Sequence, residues 1–190
     1  MDVYIILTDT GTVFTRMIRL FTKKRLNHAS LSFDKELEMT CSFGRKRMNN
    51  PFIGGFVKEN MRDRFFGEAY CAIYRCSVTE ESYQKMLSYV REIETQQTSY
   101  TYNFLGLFGV LFAKEIKRPY AFFCSEFVAT VLQRGGISVG GKLPCFVKPD
   151  DLAACKQAVF LYEGRVEGYF SQHLSSVGSG SLKDVLEQVG

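Results

Sequence analysis

The stretch HASLSFDKELEMTCSF, residues 28–43, constrains the fold more than any other part of the chain. It reads as two short runs of alternating character separated by Asp34–Glu36, the pattern of a β-hairpin with one buried face. With Phe33 set opposite Leu37, one face carries Ala29, Leu31, Phe33, Leu37, Met39, Cys41 and Phe43. The other carries His28, Ser30, Ser32, Glu38, Thr40 and Ser42. A slip of one residue would invert both faces, so a separation this complete specifies register. In this register His28 lies opposite Ser42, with Thr40 and Glu38 on the same face. That face is either solvated or lines a site in which a hydroxyl or carboxylate orients the imidazole.

Around the hairpin the signals alternate without an internal repeat. VYIILT (3–8) reads as a strand. The segment after it, with Thr10 or Thr12 as cap and Val13, Met17, Leu20 and Phe21 on one face, reads as a helix. Residues 44–67 are polar and rich in Gly and Asn, and predict a long excursion outside the core. EAYCAIYRCSVT (68–79) predicts a strand on which Cys71 and Cys76 point to opposite faces.

Residues 79–97 predict a helix capped by Thr79, with glutamates in its first turn. Its apolar stripe is Tyr83, Met86, Leu87, Val90 and Ile93. Residues 101–116 are apolar nearly all round and predict a buried segment. CSEFVATVLQRGG (124–136) predicts a helix stopped by its Gly pair. KPDDLAACK predicts a short helical turn, and QAVFLYEG a last strand. Hairpins with segregated helices give an α+β class, an antiparallel sheet packed against helices, rather than a βαβ array.

The chain has 190 residues, enough for one good core, so residues 1–170 are expected to form a single domain. The Ser/Gly-rich stretch 171–190 is expected to be a tail. A net charge of +4 is too mild to imply nucleic acid. No apolar run reaches the ~18–20 residues that span a bilayer. The opening MDVYIILTDTG lacks the basic start of a secretory signal, which gives the expectation of a cytoplasmic protein with reduced thiols. The six cysteines, at 41, 71, 76, 124, 145 and 155, contain no CxxC pair and match no zinc spacing.

Only two histidines are present, His28 and His173, so any imidazole chemistry uses one of them. His173 falls in the polar tail. Cys124 opens a helix, where free N–H groups and the positive end of the dipole favour the thiolate, the nucleophilic form. Phe122, Phe123 and Phe127 would shield its sulfur. The alternative is a buried structural thiol, among the commonest fates of cysteine.

HASLSF, followed by YAFFCSEFVATVL and then KPDDL, resembles the permuted branch of the NlpC-type, papain-like cysteine hydrolases, the broad group that includes lecithin:retinol acyltransferase. In that branch the histidine strand precedes the cysteine helix, the order found here. The resemblance covers roughly residues 1–163. It implies a permuted papain-like core, Cys124 as nucleophile and His28 as general base. It also implies a third polar residue from the strand after the histidine strand, here Ser42, Thr40 or Glu38, and an oxyanion site including the N–H of Cys124. Tyr120 and Tyr4 are further hydroxyl candidates, or plain packing residues.

The implied reaction is hydrolysis of an amide, peptide or ester through a thioester, with no metal or cofactor, on a peptide or acyl-containing small molecule. Two alternatives remain at this level. One is a non-catalytic binding module on the same fold. The other is an acyltransferase of the lecithin:retinol type that meets a membrane surface through Arg16, Arg19, Lys23, Lys24 and Arg25. Arg45, Lys46 and Arg47 follow the site strand and suit an acidic substrate group, or form a basic surface loop. FIGGF (52–56) has no phosphate-loop spacing and reads as a turn.

Overall fold

A computed structural model describes residues 1–9, 25–45, 54–103 and 120–172. Outside these residues lie the expected helix after residue 9 with most of its basic cluster, Lys46 and Arg47, most of the apolar segment 101–116, and the tail with His173.

Six strands form one antiparallel sheet: β1 (Asp2–Asp9), β2 (His28–Ser32), β3 (Thr40–Arg45), β4 (Gly54–Lys58), β5 (Tyr70–Ser77) and β8 (Ala158–Arg165), in the order β4-β3-β2-β1-β5-β8. A second, two-stranded parallel ladder joins β6 (Thr101–Tyr102) to β7 (Ala121–Phe122). The helices are α1 (Arg64–Gly67), α2 (Glu80–Thr95), α3 (Cys124–Arg134) and α4 (Pro149–Ala153), with further helical residues at 166–172. The molecule is therefore α+β, an antiparallel sheet packed against helices.

Strand β1 sits inside the sheet between β2 and β5, and its residues from Val3 to Thr8 are all buried. A strand covered on both faces reads as an unbroken apolar run, which is why VYIILT shows no alternation. Val3, Ile5 and Leu7 join Ala29, Leu31, Phe33, Phe43 and Cys76 in the main core under α2 and α3. Tyr4 and Ile6 face the other way, into a smaller core with Leu37, Met61, Cys71, Ile73, Val166, Tyr169 and Phe170. Cys71 and Cys76 thus fall on opposite faces, as their odd spacing requires.

Helix α2 buries the five residues of its expected stripe. Thr79 Oγ1 accepts the Ser82 N–H at 3.1 Å as its cap. Tyr83 adds a hydrogen bond from its hydroxyl to the Phe33 carbonyl at 2.9 Å and an edge-on contact with the Phe33 ring. Helix α3 places Phe127, Val128, Val131 and Leu132 in the core, where Phe43 meets the rings of Phe56, Tyr100, Phe122 and Phe127.

Three expectations need correction. Residues 44–67 are not an excursion, because GGFVK within them forms β4, pairing with β3 from Cys41–Lys58 to Arg45–Gly54. Gly54, Gly55 and Phe56 of FIGGF, expected as a turn, lie in β4, while Phe52 and Ile53 fall outside the described residues. The first glycine of β4 is required by close packing: a Cβ on Gly54 would sit 2.8 Å from the Gly44 carbonyl oxygen and 2.7 Å from Tyr102 Cβ.

The hairpin register also differs, since Leu31 pairs with Cys41 and Ser32 with Thr40. The turn is longer than the loop at 34–36 because Asp34 accepts the N–H groups of Glu38 at 2.9 Å and Met39 at 2.6 Å. Leu37 adopts φ 58° within it, and its side chain enters the smaller core. The shift is by two residues, so the paired strand residues keep their faces but change partners, whereas Leu37, in the turn, crosses to the smaller core and Met39 is exposed.

Candidate active site

Cys124 is the first residue of α3, and the ladder before it fixes where that helix begins. Thr101 N–H donates to the Tyr120 carbonyl at 2.8 Å, and Asn103 N–H to the Phe122 carbonyl at 2.9 Å. Ser125 Oγ then donates to the Val147 carbonyl at 2.7 Å, tying the first turn to the segment before α4. The helix opens on Phe123, which has no side-chain oxygen to offer the N–H groups of the first turn. Among the described residues no N-cap side chain occupies those N–H groups, which suit an anionic group near Cys124.

Cys124 is buried, and its Sγ lies 3.9 Å from the carbonyl oxygen of Asn27, the residue before β2. His28 lies close enough to the Cys124 side chain for the thiol to raise the pKa of its imidazole. His28 Nε2 lies 2.8 Å from Glu59 Oε1. With Nε2 committed to the carboxylate, Nδ1 is the ring nitrogen left for the thiol.

Glu59 is the residue sequence reasoning missed. It follows β4, its N–H donates to the Thr40 carbonyl at 2.9 Å, and it is buried. Ser42 Oγ donates to its Oε1 and Ser30 Oγ to its Oε2, each at 2.5 Å. Three donors on two oxygens hold the carboxylate in one orientation.

The expected third residues divide accordingly. Ser42 touches Glu59. Thr40 turns its hydroxyl to the Leu37 carbonyl at 2.8 Å. Glu38 lies on an exposed turn before β3. Tyr4 points into the smaller core, while Tyr120 is exposed, has φ 58° and meets the Tyr100 ring. The polar hairpin face is not solvated: Ser30, Ser32, Thr40 and Ser42 are all buried, and Glu59 gives two of them an acceptor.

The charges follow from this enclosure. Burial disfavours a charged imidazole, but the Glu59 carboxylate and the bonds to Cys124 and Glu59 outweigh it, and His28 is pushed up to about 10. Burial likewise opposes ionisation of Glu59. The imidazolium and the hydrogen bonds from His28, Ser30 and Ser42 prevail and hold its carboxyl below the usual range. Glu59 thus favours the imidazolium form of His28, which lies beside the Cys124 sulfur. Burial pushes the Cys41 thiol up, and Cys71 and Cys76 each up to about 12.

All six cysteines are free. Among the described residues, no group of three or more His, Cys, Asp and Glu is placed to hold a metal ion, and no helix is long and apolar enough to cross a membrane. No protein-family model matches the chain, and no curated protein matches it.

Proposed function

We propose that the protein is a cysteine-dependent hydrolase in which Cys124, His28 and Glu59 act together on an amide, peptide or ester carbonyl. The observation that carries this reading is that Glu59, hydrogen-bonded to His28, holds the imidazole beside Cys124 at the start of a helix. The resemblance to permuted NlpC-type enzymes, with their histidine strand ahead of the cysteine helix, agrees with it.

The site enters the reaction as a thiolate–imidazolium pair: the proton of Cys124 resides on His28, whose charge Glu59 stabilises. The sulfur attacks the carbonyl carbon, forming a C–S bond and an oxyanion, which the N–H groups of the first turn of α3 suit. The leaving amine or alcohol takes its proton from His28 as its bond to carbon breaks. Water, losing a proton to His28, then attacks the thioester and releases the acid and the thiol. An alcohol or amine in place of water turns the same sequence into acyl transfer, so the acceptor alone separates the two activities.

Competitive iodoacetamide labelling, with the modified thiols located by mass spectrometry, tests the reading. Cys145 is the least buried of the six thiols, so exposure alone predicts that it reacts first. The proposed site predicts that Cys124 reacts first near neutral pH, and that His28→Ala removes its advantage. Labelling that follows exposure, unchanged by His28→Ala, rejects the enzyme in favour of a binding module.

A further inference from the structure

Glu126, on the first turn of α3, is buried together with Asn103, yet neither residue belongs to the His28–Glu59 chain. Glu126 Oε2 accepts the N–H of Phe123 at 3.3 Å, and the Asn103 side chain bonds the same carboxyl group. The backbone of Asn103 is in turn fixed to Phe122 at 2.9 Å. Glu126 and Asn103 therefore grip, from two sides, the Phe122–Phe123 backbone that immediately precedes the nucleophile. The orientation of the Cys124 N–H depends on the Phe123–Cys124 peptide, which this grip holds.

Resting on the Cys–His reading above, we infer that Glu126 and Asn103 are positioning residues that aim the Cys124 N–H at the oxyanion formed during acyl transfer. A carboxylate suits the task because it offers one oxygen to each donor, whereas an amide offers a single acceptor oxygen. The grip is firmest when the carboxyl is ionised, because charge-assisted hydrogen bonds are the stronger kind. Burial pushes Glu126 up to about 7, against the opposing effect of its bonds to Phe123 and Asn103. The titratable neighbour from α2 is Tyr89, whose hydroxyl senses the charge of Glu126 and carries Arg134 over its ring at 4.5 Å. Within α3 itself, Cys124 lies two residues before Glu126.

The test compares two reactions at the same sulfur. Acetylation by p-nitrophenyl acetate passes through an oxyanion: the C–S bond forms, and p-nitrophenolate leaves. Alkylation by iodoacetamide displaces iodide and forms no oxyanion. Both need the thiolate, so their rate ratio at Cys124, followed by mass spectrometry, isolates oxyanion positioning from thiol ionisation.

In the wild-type protein the ratio should rise as pH increases through about 7. It should fall at least about tenfold in Glu126→Ala and Asn103→Ala, and less in Glu126→Gln, where the pH rise should vanish. A ratio unchanged in all three variants, or a pH rise that persists in Glu126→Gln, overturns the inference. So does a parallel loss of both rates with thermal stability, which a merely structural role would give. Failure of wild-type Cys124 to acetylate overturns the Cys–His reading itself, a different result from acetylation at a ratio the variants leave unchanged.

Discussion

Glu59 Oε1 lies 2.8 Å from His28 Nε2, although the two residues are 31 positions apart and β3 lies between β2, which His28 opens, and β4, which Glu59 follows. Ser42 on β3 bonds the same oxygen, so the intervening strand braces the pair rather than insulating it. Removing the carboxylate leaves a buried imidazolium and two buried hydroxyls without their acceptor.

Glu59→Ala should therefore lower stability by about 3–5 kcal/mol, the range for breaking a buried ion pair. Glu59→Gln should cost less while bringing the His28 titration down from about 10 toward the ordinary imidazole value. Urea unfolding gives the first quantity and NMR titration of the ring the second. A His28 titration unmoved by Glu59→Gln would assign its proton affinity to another group.

The same pair makes stability depend on alkaline pH. His28 is held above its ordinary value of 6.5, so the stability it contributes is fully present below about 6.5 and lost as pH rises through about 10. Unfolding free energies of wild type and His28→Gln, measured from pH 6 to about 10.5, should converge as pH rises. Parallel curves would contradict the shift.

Gly44 tests how closely the third strand approaches the ring. A Cβ there would lie 3.6 Å from His28 Cε1 and 3.5 Å from Ser42 Oγ, ordinary contact distances. Gly44→Ala should leave iodoacetamide labelling of Cys124 within about twofold of wild type. Gly44→Val adds bulk directly against the imidazole and should cost about 1–3 kcal/mol while slowing labelling. Equal behaviour of the two variants would show that the ring has room to spare.

Thr8 pairs directly with His28 across β1 and β2, is fully buried, and has a hydroxyl with no hydrogen-bond partner among the described residues. Thr8→Val keeps the shape and removes the unsatisfied group, so it should raise stability by about 1–3 kcal/mol. Differential scanning calorimetry of the two proteins decides it. A lower melting temperature in the variant would mean that the hydroxyl is satisfied in solution.

The sequence alone determined whatever depends on local period and local chemistry. The buried stripe of α2, its Thr79 cap, the start of α3 at Cys124 and the faces of the hairpin residues within β2 and β3 all follow from side chains a few positions apart. The same local information places His28 at the head of one strand and Cys124 at the head of one helix.

Tertiary structure alone decided the identity of the carboxylate that bonds His28. Glu59 stands in FVKEN, where a charged residue among polar neighbours looks the same whether solvated or buried. Only the pairing of β4 with β3 carries it onto the face shared by Ser30, Ser42 and His28. The hairpin register was likewise set beyond the alternating runs. Asp34 folds the turn back on itself and Leu37 is drawn into a core built from β1, β5 and the residues after β8. A period of two fixes which face a side chain takes, but the partner it meets depends on where distant strands lie.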